Sequence, residues 1–200
     1  CQGMEIIPSA GYENGLVHNN KITLNTSVTS GTSRGIVVSG PDSGTVGAEG
    51  WQIYSNYITA NNNRAIRLRQ TRYANVHDNQ IVACACVTSG CYHLVDPSNG
   101  TDYVSDAHTD IYNETVAMIG GTAFWARDGY GWKIYNSTVT GTSGQLGNLR
   151  TAGQTPAYAT GATFCNIIGA AGLGTDSAAA VSTTVSKNGA GTWTGAGTIN

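Results

Sequence analysis

The sequence predicts an all-β solenoid, a chain wound into stacked coils of short strands separated by loops of variable length. Three observations carry this. A pattern of one aliphatic residue, two polar or aromatic ones, Asn, one further residue and Ile occurs as Ile53-Tyr54-Ser55-Asn56-Tyr57-Ile58. It returns 23 residues later as Val76-His77-Asp78-Asn79-Gln80-Ile81, and self-similarity at roughly 20–50 residues marks stacked repeats. Glycine supplies 27 of 200 residues, Thr, Ser and Asn are plentiful, and no window sustains helical periodicity, which suits strands joined by tight turns.

The pattern recurs at Val17-His18-Asn19-Asn20-Lys21-Ile22, Ile111-Tyr112-Asn113-Glu114-Thr115-Val116 and Ile134-Tyr135-Asn136-Ser137-Thr138-Val139. A degenerate last copy is read as Thr163-Phe164-Cys165-Asn166-Ile167-Ile168. From Val17 to Ile134 the intervals are 36, 23, 35 and 23 residues, a minimal coil enlarged by loops.

Taken in order, Gly3 to Ile7 alternates as a strand, and Pro8 to Gly11 is a turn. The first copy follows, then a polar loop from Leu24 to Arg34, a strand Gly35 to Ser39, and turn chemistry at Pro41-Asp42-Ser43-Gly44. The second coil starts at Trp51 and includes the strand Ala65 to Arg69. The third runs from Ala74 through a Cys-rich loop to Tyr92-His93-Leu94-Val95, followed by an acidic loop from Asp96 to Asp110. The fourth carries Ile111 to Met118 and Ala123 to Arg127. The fifth starts at Trp132 and is followed by an insert from Gly141 to Gly161. Residues 171–200 are poor in large apolar side chains and read as a C-terminal Gly/Ala/Thr-rich cap or a segment packed on a partner, beside a repeat domain of residues 1–170.

Stacked strands lie ~4.8 Å apart, so equivalent side chains form columns. Val17, Ile53, Val76, Ile111 and Ile134 form one inward column, and Ile22, Ile58, Ile81, Val116 and Val139 another. Asn20, Asn56 and Asn79 form a structural amide ladder that satisfies turn backbone groups. Glu114 and Ser137 depart from Asn at that position and interrupt the predicted ladder.

Only 11% of residues are charged and the net charge is −2, which does not favour nucleic acid or an anionic membrane surface. No apolar run approaches the ~20 residues of a membrane span, so membrane insertion is not expected. The chain opens at Cys1 without a signal peptide and reads as a processed or excised piece of a longer polypeptide. Cys84, Cys86 and Cys91 share a loop, with Cys1 and Cys165 remote. A metal is disfavoured because no second closely spaced pair completes four ligands, leaving a loop disulfide or buried thiols. No cofactor is expected. Four Asn-x-Ser/Thr sequons are matches that chance explains in so Asn- and Thr-rich a chain.

The copies around Asn56 and Asn79 resemble the right-handed parallel β-helix superfamily, which includes pectate-lyase-like enzymes and the spikes of bacteriophage tails. The resemblance covers residues 3 to 170 and implies an all-β right-handed parallel β-helix of about five to six coils with a C-terminal cap. It also implies a substrate groove along the strands Met4–Ile6, Ile36–Val38, Ile66–Leu68, Tyr92–Leu94 and Phe124–Ala126. With the ends of those strands inward, the outward column is Glu5, Val37, Arg67, His93 and Trp125, and the neighbouring one Ile7, Ser39, Arg69, Val95 and Arg127.

Within this groove the candidate catalytic residues are Arg67, His93, Asp96 and Asp128, and the substrate-binding ones are Arg69, Trp125 and Arg127. Arg clamps carboxylates in forked geometry, and an indole face stacks on sugar. Elimination at a uronate needs a base at the C5 proton and a cation on the acid. Hydrolysis needs two carboxylates, for which Asp96 and Asp128 are placed. The bland alternative is that the arginines keep a sheet face soluble and the aspartates serve turns.

A second outward column, His18, Tyr54, His77, Tyr112, Tyr135 and Phe164, is long for a solvated face. It suits packing against a loop or a second subunit better than the alternative of a glycan platform, and the tailspike resemblance implies a homotrimer. The implied function is recognition, with or without cleavage, of a surface polysaccharide by an extracellular or virion-surface segment. A secreted lyase or hydrolase is the enzyme alternative, and a purely structural spike, coat or adhesin rod is the third.

Overall fold

The computed structural model describes residues 2–7, 12–24, 33–40, 48–84, 90–95, 106–127, 130–141, 145–150, 162–169, 172–175, 184–188, 193–194 and 198–199. The first turn of chain contributes β1 (Gln2–Ile6), β2 (Tyr12–Glu13), β3 (Leu16–His18) and β4 (Lys21–Thr23). The second contributes β5 (Arg34–Ser39), β6 (Ala48–Glu49), β7 (Gln52–Tyr54) and β8 (Tyr57–Thr59), and the third β9 (Arg64–Arg69), β10 (Thr71–Arg72), β11 (Asn75–His77) and β12 (Gln80–Cys84). Then come β13 (Tyr92–Val95), β14 (Asp106–Tyr112) and β15 (Thr115–Met118), followed by β16 (Thr122–Arg127), β17 (Tyr130–Tyr135) and β18 (Thr138–Gly141). The last are β19 (Gln145–Arg150), β20 (Ala162–Gly169), β21 (Gly172–Thr175), β22 (Thr184–Asn188), β23 (Trp193–Thr194) and β24 (Thr198–Ile199).

Among the described residues the structure is all-β, and its strands stack in parallel. One sheet runs β1-β5-β9-β13-β16-β19-β21-β23. A second runs β3-β7-β11-β14-β17-β20 and returns through β18-β15-β12-β8-β4, and a three-stranded ribbon joins β10, β6 and β2. Partners are one repeat apart: Val76 sits beside Ile53 and Ile111, and Ile53 beside Val17. Ile58 pairs with Ile22 and Ile81. This arrangement of stacked parallel strands fits a β-helix.

The core follows from the register. Ile36, Ile53, Ile58, Ile66, Leu68, Val76, Ile81, Leu94, Ile111, Phe124 and Ile134 are wholly buried. Each is an alternate residue of its strand, so the pleat turns these side chains inward together. Transfer of one such side chain from water stabilises by about 1.5–3 kcal/mol.

The strand pairs β3/β4, β7/β8, β11/β12, β14/β15 and β17/β18 are each split by a two-residue turn. Its first residue takes a left-handed backbone: φ is 56° at Asn19, 54° at Ser55, 55° at Asp78, 54° at Asn113 and 51° at Asn136. Asn and Asp tolerate that region because their short polar side chains bond locally. The second residue points inward, and these are Asn20, Asn56, Asn79, Glu114 and Ser137.

Some segments differ from the sequence reading, and others fill in what it left open. The region read as loop up to Asp110 is strand from Asp106, where Asp106 pairs with Tyr130. Within the predicted 141–161 insert, β19 pairs with β16 and buries Leu146. Phe164 stands beside Ile134 and Cys165 beside Tyr135, so the last copy is displaced by one residue from the predicted alignment. The physical reason is that β20 runs through the turn position as a single strand and places buried Ile167 one repeat beyond Ser137. Beyond residue 170, β21 pairs with β19 and β22 with β20. Cys84 and Cys91 form a disulfide, Cys165 is an exposed free thiol, and Cys1 and Cys86 lie outside the described residues.

Candidate functional site

The outer side of the first sheet brings the sequence-derived candidates together. Glu5 pairs with Val37, Val37 with Arg67, Arg67 with His93 and His93 with Trp125. One step along, Ser39 pairs with Arg69, Arg69 with Val95 and Val95 with Arg127. Asp42, Asp96 and Asp128 lie outside the described residues.

The column is less open than a groove requires. Val37 is 0% exposed, His93 5% and Trp125 7%, while Arg67 and Arg69 remain partly exposed. The His93 imidazole stacks on the Trp125 indole with centroids 4.6 Å apart and planes 17° from parallel, which occupies one indole face. Among the described residues the accessible polar groups of this face therefore include the Arg67 and Arg69 guanidiniums and the Glu5 carboxylate.

Two further arginines were not singled out from sequence. Arg34 and Arg64 pair directly across β5 and β9, in the same 30-residue offset that pairs Ile36 with Ile66, and that offset was the signal. A Cβ built at Gly35 would lie 3.0 Å from Ile58 Cγ2, so position 35 faces inward and the neighbouring Arg34 faces out. The Arg67 guanidinium is lowered to about 10, by burial first and then by Arg34, Arg64 and Arg69, with Glu5 partly offsetting them. Like charges gathered around Arg67 disfavour its charged form.

The second sheet carries the aromatic column. His18 stacks on Tyr54 at 4.8 Å, Tyr54 on His77 at 5.1 Å, His77 on Tyr112 at 4.9 Å and Tyr112 on Tyr135 at 5.1 Å, with planes within 10° of parallel. The column then reaches Cys165 rather than the expected Phe164. Ring faces inside it are taken up by each other, so the surface presents ring edges. His77 Nδ1 lies 2.7 Å from Asp78 Oδ2. Burial, then Asp78 and Asp110, push the Tyr112 phenol up.

At the turns, Asn20 donates through its backbone N (3.1 Å) and Nδ2 (2.9 Å) to Asn56 Oδ1, and Asn56 donates likewise to Asn79 Oδ1 at 3.0 and 2.9 Å. Asn79 Nδ2 continues to Glu114 Oε1 at 2.9 Å, and the Glu114 N–H to Ser137 Oγ at 3.1 Å. The substitutions at Glu114 and Ser137 therefore do not interrupt the chain of bonds. Asn113 and Asn136, one residue earlier, occupy the left-handed position instead.

Among the described residues no group of three or more His, Cys, Asp or Glu is placed to hold a metal ion, and no helix is long and apolar enough to cross a membrane. Comparison with known proteins returns no matching family model, no matching curated protein and no matching solved structure.

Proposed function

We propose that the chain is a right-handed parallel β-helix of the pectate-lyase-like and tailspike-like kind, and that it recognises a surface polysaccharide outside the cell or on a virion. The parallel stacking supports the fold, since strand-to-strand crossovers of this type are right-handed in about 98% of cases. The observation that carries the function is the outward placement of Arg67 and Arg69 beside the stacked His93 and Trp125. Forked guanidiniums suit the acid groups of a glycan. Assembly as a homotrimer belongs to the same reading, with the aromatic column toward the neighbouring subunit.

A glycan-array screen of the wild type, Arg67→Ala and Trp125→Ala tests it. Binding that Arg67→Ala abolishes supports the reading, and binding unchanged in both variants removes this face from it. Sugar release from the bound polymer distinguishes a lyase or hydrolase from a recognition module. The structural rod is favoured by a different observation, the unbroken ring column and hydrogen-bond ladder, and a stable trimer that binds no glycan supports it.

A further inference from the structure

The arginines of β5 and β9 are arranged as a site rather than as a solvated fringe. Arg34 and Arg64 face each other on adjacent strands, a placement that like charges disfavour. Arg67 feels both of them and Arg69, with Glu5 opposing them among the described residues. Arg34 Nε and Arg67 Nε are buried donors with no acceptor among the described residues, and a buried donor without an acceptor is costly. An anion set among them would relieve repulsion and accept those hydrogens.

The number of guanidiniums selects the kind of anion. A planar carboxylate offers one fork edge, which one Arg satisfies. A tetrahedral oxyanion offers several edges, and a phosphate monoester carries about −1.5 to −2 charge. We infer that the outer face of β5 and β9 holds a tetrahedral oxyanion, a sulfate or phosphate group of the ligand, between Arg34, Arg64, Arg67 and Arg69. This deepens the polysaccharide reading of the same face and rests on it.

Thermal melts of the whole chain in sodium sulfate, sodium phosphate and sodium acetate, at constant ionic strength set with sodium chloride, test the assignment. The expected result is a saturable rise in Tm with sulfate or phosphate and none with acetate, the stronger of the two identifying the group. Arg34→Ala/Arg64→Ala should fold, since it removes like charges, and should raise the half-saturating concentration at least tenfold. Arg34→Gln/Arg64→Gln, which keeps more of the side-chain volume, carries the test if the alanine pair does not fold. Lys21→Ala, on the second sheet, should respond as the wild type does.

A rise that does not saturate and is equal in wild type and double variant is the general stabilising action of these salts, and it overturns the site. Equal response to acetate overturns the tetrahedral assignment. Saturable oxyanion binding with no glycan captured on the array leaves this site standing and overturns the polysaccharide reading. Glycan binding lost in Arg67→Ala, without a saturable response to either oxyanion, overturns the present inference alone.

Discussion

The phenol of Tyr92 donates a hydrogen bond to the carboxyl of Glu114 across the interior, and both side chains are buried. This contact ties β13, in the first sheet, to the turn ahead of β15 in the second. The same carboxyl accepts from Asn79 Nδ2 at 2.9 Å, so an acid takes the place that Asn holds in earlier coils. Glu114 is raised to about 8, by burial first, against the lowering effect of the bonds from Tyr92 and Asn79, with Asp78 adding to the rise.

That shift predicts stability that declines with rising pH. The folded value lies above the ordinary 4.5, so the native state binds the extra proton between these limits. The associated stability is fully present below pH about 4.5 and is lost as pH rises to about 8. Urea unfolding at pH 5 and pH 9 should differ by a few kcal/mol, at about 1.4 kcal/mol per unit of pKa difference. Glu114→Gln should flatten this component, and an undiminished decline in that variant would count against it.

Asn56 sits in the middle of the ladder, donating to Asn79 Oδ1, to the Val17 and Tyr54 carbonyls, and accepting from Asn20. Asn56→Ala leaves buried groups unpaired and should cost about 2–4 kcal/mol, from roughly 1–3 kcal/mol per orphaned group. Asn20→Ala, at the partly exposed end, should cost about 1 kcal/mol. Equal losses in denaturant titrations would mean that the bonds do not act as a ladder.

Ser55 has φ 54° where the equivalent residues are Asn19, Asp78, Asn113 and Asn136. Asn populates the left-handed region more readily than Ser. Ser55→Asn should therefore stabilise by about 0.5 kcal/mol, within the usual range for relieving an incompatible backbone. A lower Tm for this exposed substitution would contradict that account.

The Cys84–Cys91 disulfide closes a short loop, with a sequence separation of 7. Loop-closure entropy gives a loop of this size about 2–3 kcal/mol. Cys84→Ala/Cys91→Ala should lose that amount in chemical denaturation. No loss in the double variant would mean that other contacts, such as the close approach of Gly90 to Trp125, supply the constraint.

The coil register was legible because it is written as recurrence. Ile53 and Val76 look alike, stand 23 residues apart and are neighbours across β7 and β11. The last copy was not legible in the same way. Thr163 and Phe164 both satisfy a loose pattern, and only the pairing of Ile134 with Phe164 separates a one-residue slip from the alternative. Glu114 and Ser137 broke the Asn rule on paper, yet any inward acceptor of the right reach continues the chain of bonds. The arginine cluster was half legible: Arg67 and Arg69 share a strand with the pattern, whereas Arg34 reaches Arg64 only once β5 lies on β9.

By itself the sequence determined which residues turn inward and how far apart stacked neighbours lie, because alternation and period are local properties of a pleated chain. Tertiary structure decided what the outward columns experience. His93 and Trp125 became buried while Arg67 stayed partly exposed, although all three share a column. Exposure depends on what chain passes over a strand, and electrostatics on distances between coils, neither of which a one-dimensional pattern contains.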